Sequence, residues 1–263
     1  MTPTRDVMIG DSFVRVSGEG FPLVFVHGFT TTSEFWKEQA KEFSETFRVI
    51  RINLPGHGGS PSRPSRSYRI EAFVEDVARV FHELRIGKAI LIGLSMGGIV
   101  AQQFAVKYPD LVKALVLVDT TAHEVGVDGT ADRFLAAVDR FGIEKASQRL
   151  SDLSFGPAAA PALIEWARRE VVQTPEFVAR MVIRSINDAD TRRCLAQIKV
   201  RTLVIVGEED RVTPPRESEA LAEGINNSVL SIIPAAGHFS MIEQPAAFNR
   251  ILREFIEEEL RHS

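Results

Sequence analysis

Short runs of β-branched and aliphatic residues alternate along the chain with stretches whose apolar positions recur every three to four residues. That alternation is the pattern of strands and helices built around a largely parallel sheet. Ser12 to Val16 reads as antiparallel hairpin material. Strand candidates follow at Leu23 to Val26, Val49 to Asn53, Ala89 to Gly93, Ala114 to Asp119, Thr202 to Gly207 and Val229 to Ile233. These six have too few polar positions for one wet face, which predicts helices on both sides of the sheet. Trp36, Ala40, Phe43 and Phe47 form one helical stripe, and Ile70, Phe73, Val74, Val77, Phe81 and Leu84 another. Pro245 suits a helix first turn, with Phe248, Ile251, Leu252, Phe255 and Ile256 as the apolar face behind it.

The alternation breaks once. From Asp119 to Lys199 there is no strand-like run, only helical stretches punctuated by Gly126, Gly129, Gly142, Gly156, Pro157, Pro161 and Pro175. The expected architecture is therefore an α/β core domain of residues 1–119 and 200–263, with a helical cap, 120–199, inserted after the sixth strand. The stretch Pro61 to Ser67 is too short for a domain linker and reads as a surface loop.

Composition narrows the function classes. The 263 residues are 44% hydrophobic and 25% charged, with a formal net charge of -4, which suits a globular domain and not a disordered chain. No apolar run approaches the length of a membrane span. No basic tract supplies the concentrated positive field that nucleic-acid binding needs, so neither a nucleic acid nor a membrane is an expected partner. The one cysteine, Cys194, cannot close an intrachain disulfide, and no Cys/His group has zinc spacing. MTPTRDVMIG lacks a basic segment followed by an apolar stretch, so a cytoplasmic location is the expectation.

The strongest chemical signal is Gly93-Leu94-Ser95-Met96-Gly97, which follows the apolar run KAILI and precedes a helical stretch. The bare G-x-S-x-G pattern is weak, but a strand before it and a helix after it define a turn that pushes the serine out at the top of a sheet. A helix N-terminus behind Ser95 offers free N–H groups to a developing anion. One such donor is the N–H of Met96. His27-Gly28-Phe29, at the end of an earlier strand, supplies the second through the N–H of Phe29.

A serine hydroxyl needs a base to become a nucleophile at neutral pH. Of six histidines, His82 and His262 read as surface residues, His57 as a residue tying down its own loop, and His27 as a structural neighbour of the site. His123 stands at the mouth of the insertion and could line a pocket. His238 directly follows the last strand candidate, where the carboxyl ends of parallel strands converge with the serine turn, and is the expected base. The acid that fixes its tautomer is expected to be Asp210, after the strand RTLVIVG. Glu208 and Glu209 beside it could exchange roles with it, and Asp119, at the end of the neighbouring strand, is a further rival.

With VHGF, NLPGHGGS, GLSMGG, GEED and AGHFSMIEQP in this order, the chain resembles the α/β-hydrolase superfamily over essentially its whole length. By motif, the resemblance implies Ser95 as nucleophile, Asp210 as acid, His238 as base, and Phe29 and Met96 as the oxyanion donors. Asn53 stands where the family often has Asp, a departure that touches loop architecture and not the reacting groups. The finer resemblance is to 3-oxoadipate enol-lactone hydrolases and related carboxylesterases. The Asp-nucleophile branches are disfavoured by Ser95, whereas carbon–carbon bond hydrolases of aromatic-ring degradation share the serine triad and a similar cap.

The implied activity is hydrolysis of a small ester or lactone through an acyl-enzyme, with no metal or organic cofactor called for. The alternatives are carbon–carbon bond hydrolysis and a non-catalytic ligand-binding protein on the same fold. Phe134, Phe141, Phe155, Trp166, Phe177, Met181 and Ile183 could line an apolar pocket, although their helical spacing fits the cap's own core better. The insertion is also rich in arginine, yet over 120–195 one Lys and nine Arg face eleven Asp plus Glu, a net of -1. Arg133, Arg140, Arg168, Arg169, Arg180 and Arg184 are therefore expected on exposed, charge-compensated helix faces.

Overall fold

Alternate residues of each inner strand point to opposite faces of the sheet, and in this chain both sets are apolar. The computed structural model describes residues 3–123 and 130–261; Gly126, Gly129 and His262 lie outside the described residues. Eight strands form one sheet: β1 (Thr4–Ile9), β2 (Ser12–Ser17), β3 (Pro22–Val26), β4 (Arg48–Asn53), β5 (Ala89–Leu94), β6 (Val112–Val118), β7 (Thr202–Gly207) and β8 (Ser228–Ile233). Their spatial order is β1-β2-β4-β3-β5-β6-β7-β8. The β1–β2 and β2–β4 pairs are antiparallel, and every other pair is parallel.

On one face Val24 and Val26 of β3 join Ile50 and Ile52 of β4. They pack under α2 (Ile70–Glu83) and α3 (Met96–Lys107), while α8 (Pro215–Gly224) covers the β7–β8 end. On the other face Leu23, Phe25, Ile90 and Ile92 meet α1 (Lys37–Phe43) and α10 (Pro245–Arg261). Trp36 bridges that layer, with ring centroids 5.2 Å from Phe25 and 6.1 Å from Phe248. Burial of such large side chains, at about 25 cal/mol per Å² of apolar surface, is what holds the central strands between two helical layers.

Two expectations are corrected, and one strand is added. The edge strand β8 is not covered on both faces, for Val229 and Ile232 are 41% and 44% exposed. The stripe from Trp36 to Phe47 is not one helix: α1 ends at Phe43, and Phe47 packs against Phe43 from the turn beyond it, ring centroids 6.2 Å apart. The hairpin partner of β2 is β1, whose sequence TRDVMI is exposed over most of its length and lacks a buried-strand signature.

Between β6 and β7 the described residues form helices only: α4 (Thr130–Phe141), α5 (Ile143–Ser154), α6 (Pro161–Glu170) and α7 (Glu176–Asp188), with short 3-10 turns. The short helix α9 (Ser240–Glu243) follows β8. The insertion is tied to the loop after β8 by the His238 N–H, which donates to the Ser154 carbonyl at 2.7 Å. Glu243 clamps the same junction, accepting from the N–H groups of Gly156 at 2.8 Å and Gly237 at 3.0 Å.

Candidate active site

Ser95 sits between β5 and α3 with φ 51° and ψ -117°. A non-glycine residue in that region is strained, and the surroundings hold it there. Its N–H still pairs with β6 through the Val118 carbonyl at 2.9 Å, while its own carbonyl accepts from the Gly98 N–H and the Thr120 hydroxyl. The flanking glycines permit the turn by close approach. A Cβ on Gly93 would stand 2.2 Å from the Gly97 carbonyl oxygen, and one on Gly97 would stand 2.5 Å and 2.6 Å from the carbonyl oxygens of Val26 and His27. The G-x-S-x-G spacing thus reflects backbone packed on backbone.

The Asp210 carboxylate accepts at Oδ1 from the N–H groups of Val212 (2.7 Å) and Thr213 (2.9 Å), and at Oδ2 from the Thr213 hydroxyl (2.8 Å). Its Oδ2 also lies 2.8 Å from His238 Nδ1. A carboxylate there selects the tautomer with the proton on Nδ1, leaving Nε2 as an acceptor. Burial pulls the His238 pKa down, but the Asp210 charge and hydrogen bond, assisted by Asp119 and Glu243, outweigh it and set it above the usual 6.5. Glu208 and Glu209 are exposed.

Asp119, the rival acid, is fully buried but serves another connection. It accepts from the Gly207 N–H at 2.8 Å and from the Ser240 hydroxyl at 2.6 Å. It therefore joins the strand end before Asp210 to the residues just after His238. Burial, then the neighbouring Asp210 charge, raise its pKa well above the carboxylate range.

His27 has a definable role in holding the loop after β3. Its Nε2 accepts from the Leu54 N–H at 3.0 Å, so its Nδ1 carries the proton and donates to the Gly28 carbonyl at 2.7 Å. The Thr31 hydroxyl donates to the same carbonyl at 3.0 Å. In a trans peptide the C=O and the following N–H point in opposite directions, so fixing the Gly28 carbonyl also fixes the direction of the Phe29 N–H. Burial, then the nearby His57, push the His27 pKa to about 3, and burial pushes that of His57 to about 4. His57 holds its own loop through the Pro55 carbonyl at 3.1 Å. Asn53 uses both ends of its amide, Oδ1 accepting from the Ser33 N–H at 2.6 Å and Nδ2 donating to the Gly58 carbonyl at 2.8 Å. An Asp at 53 would lack the second donor.

Gly28, Phe29, Ser95 and His238 line one cavity. Asp210 stands behind His238, 4% exposed. Met96 does not line the cavity; it is fully buried at the first position of α3, where an N–H has no intrahelical acceptor. Among the described residues no hydrogen bond joins the Ser95 hydroxyl to the His238 ring; the two share the cavity wall. His123 is not in that wall and pairs with Glu217 at 2.9 Å. His82 is a surface side chain.

The insertion contributes Leu150, Ser151, Val171, Ile183 and Ile186 to the cavity. Of the apolar residues weighed for this role only Ile183 is used, while Phe134 and Phe155 are core and Met181 is exposed. The arginines behave as surface charge: Arg168 pairs with Asp152 and Glu165, Arg169 with Glu165, and Arg180 with Asp139 and Glu176. Sequence reasoning missed Thr213, Ser240 and Glu243. An Asp followed three residues later by Thr carries a turn signal that points to Thr213; Ser240 and Glu243 have no such local sign.

The family described as the alpha/beta hydrolase fold matches residues 22–245. The chain belongs to this family. It is 30% identical over 230 residues to 3-oxoadipate enol-lactonase 2 of Acinetobacter baylyi, covering 86% of this chain and 85% of that one. It is 26% identical to a 2-hydroxymuconate semialdehyde hydrolase of a Pseudomonas species, covering 92% and 89%. Among solved structures, a thermophilic esterase from Thermogutta terrifontis superposes with a TM-score of 0.85 at 31% identity, covering 98% and 99%. The enol-lactonase of Burkholderia xenovorans does so with 0.87 at 26% identity, covering 96% and 100%.

Proposed function

We propose that this hydrolase cleaves a small carboxylic ester or lactone through an acyl-enzyme on Ser95, with His238 as base and Asp210 as the acid that orients it. The reading rests above all on Ser95, held in a strained strand-to-helix turn, facing the cavity it shares with the Asp210-bonded imidazole. Its likeness to an enol-lactonase and to an esterase supports the ester-type bond.

On substrate entry His238 Nε2 takes the Ser95 proton as Oγ attacks the carbonyl carbon; free-enzyme hydrogen bonds of this kind commonly tighten only with substrate bound. The negative charge that develops on the carbonyl oxygen is held by the Phe29 and Met96 N–H groups. The imidazolium then protonates the departing alkoxide. Water, deprotonated by the same ring, attacks the acyl-enzyme and releases the acid. The helices of segment 120–199 act as a cap that shapes the acyl side of the cavity.

Ser95→Ala is expected to lower turnover of p-nitrophenyl acetate by at least three orders of magnitude with unchanged circular dichroism. Near-wild-type activity would remove Ser95 from the reaction. Carbon–carbon cleavage stands as the second reading because of the likeness to 2-hydroxymuconate semialdehyde hydrolase. Consumption of a ring-fission dienoate with little ester hydrolysis would favour it.

A further inference from the structure

The cavity shared by Ser95 and His238 has a wall that is mostly hydrocarbon, yet one hydroxyl in it is closed off from solvent without a hydrogen-bond partner. Ser151, on α5, lines the cavity and is 2% exposed, and its Oγ has no hydrogen-bond partner among the described residues. Two neighbouring hydroxyls in the wall behave differently. Thr31 donates to the Gly28 carbonyl, and Ser154, one turn along α5, donates back to the Leu150 carbonyl at 2.8 Å. That backward bond is the usual resort of a helical serine. A buried hydroxyl without a partner is destabilising, and among Leu150, Val171, Ile183 and Ile186 an alanine would avoid the penalty.

Two further properties limit what could satisfy it. The cavity volume is about 40 Å³, room for a few waters or a short acyl chain. Among the described residues no Lys or Arg belongs to its wall. A carboxylate on the acyl chain would be desolvated there with no Lys or Arg to balance it. An uncharged oxygen would not.

We infer that Ser151 is a substrate-contacting residue whose hydroxyl binds an uncharged oxygen on the acyl chain, so that the protein prefers short hydroxy- or oxo-substituted acyl esters and lactones over unsubstituted ones. This rests on the ester-hydrolase reading of the same cavity. It also separates the protein from an enzyme built for a carboxylate-bearing acyl group.

The test compares ethyl 3-hydroxybutyrate and ethyl acetoacetate with ethyl butyrate, measured as kcat/KM by proton release with the full chain. Wild type is expected to favour the oxygenated esters by fivefold or more. Ser151→Ala should bring that ratio down to about one, and Ser151→Thr, which keeps the hydroxyl, should restore part of it. A second measurement does not need turnover: calorimetric binding of ethyl 3-hydroxybutyrate and ethyl butyrate to Ser95→Ala, with and without Ser151→Ala. The difference between the two ligands should vanish when the Ser151 hydroxyl is removed. A ratio unchanged by Ser151→Ala, or equal binding of both ligands with Ser151 present, overturns the proposal and leaves the hydrolase reading standing. If wild type cleaves none of the esters, the hydrolase reading falls, and the binding comparison still decides the role of Ser151.

Discussion

The Ser240 hydroxyl donates to Asp119 Oδ2 at 2.6 Å, and through this bond the end of β6 grips the loop that carries His238. The other Asp119 oxygen holds the Gly207 N–H, three residues before Asp210. One buried carboxylate therefore sets the distance between the two loops whose side chains meet as Asp210 and His238. Its task is to hold the pair in place, which explains why an acid that sequence reasoning set against Asp210 is found beside it and not in its role.

Ser240→Ala removes one of these ties and leaves Asp119 Oδ2 with only the longer 3.3 Å contact to the Ser240 N–H. A loss of about 1–3 kcal/mol is expected, as for other buried polar groups that lose a hydrogen-bond partner. Thermal melts followed by circular dichroism would register it. Turnover of a p-nitrophenyl ester should fall severalfold as the imidazole gains freedom. An unchanged melting temperature would contradict the account of Asp119 as a tie.

The pH dependence follows from His238. In the proposed mechanism only the neutral ring can take the Ser95 proton, and its pKa in the folded protein lies above 6.5, because the Asp210 charge and hydrogen bond outweigh burial. Activity should therefore be present at higher pH and fall as pH drops through that raised value. In Asp210→Asn the acid limb of kcat/KM should move to lower pH and the maximum should fall sharply. A limb that stays in place would show that Asp210 does not set the charge state of this histidine.

Gly97→Ala tests the packing that makes the serine turn possible. The new Cβ would meet the carbonyl oxygens of Val26 and His27 at 2.5 Å and 2.6 Å, and neither is the end of a flexible side chain. The helix α3 must shift away from β3, so a loss of at least about 2 kcal/mol is expected, together with activity, since Gly28 and Ser95 lie on the two elements forced apart. Gly59→Ala is the control. Unlike Gly97 it has a positive φ, 85°, and no atom lies within 4 Å of its Cβ position, so it should lose stability with little effect on turnover.

Much of this protein was legible in one dimension because the signals are local. Continuous apolar runs marked β3 to β7, because a strand buried on both faces has no polar alternation, and stripes of period 3.6 marked α2 and α10. The serine turn was legible because backbone contacts at Gly93 and Gly97 leave no room for a side chain. The exposed strand β1 left little trace, because it has little buried surface to mark it.

Chain order and residue type by themselves determined the α/β architecture and the helical insertion after β6, and pointed to Ser95, Asp210 and His238 as candidate reacting groups near strand ends. Only the folded chain decided which acid meets the imidazole, what Asp119 holds, how His27 aims the Gly28–Phe29 peptide, and which unpartnered hydroxyl of the insertion lies in the cavity wall. Each of those depends on atoms from segments distant in sequence approaching within hydrogen-bond distance. Local periodicity carries no record of such approaches; the packing of helices on the sheet creates them.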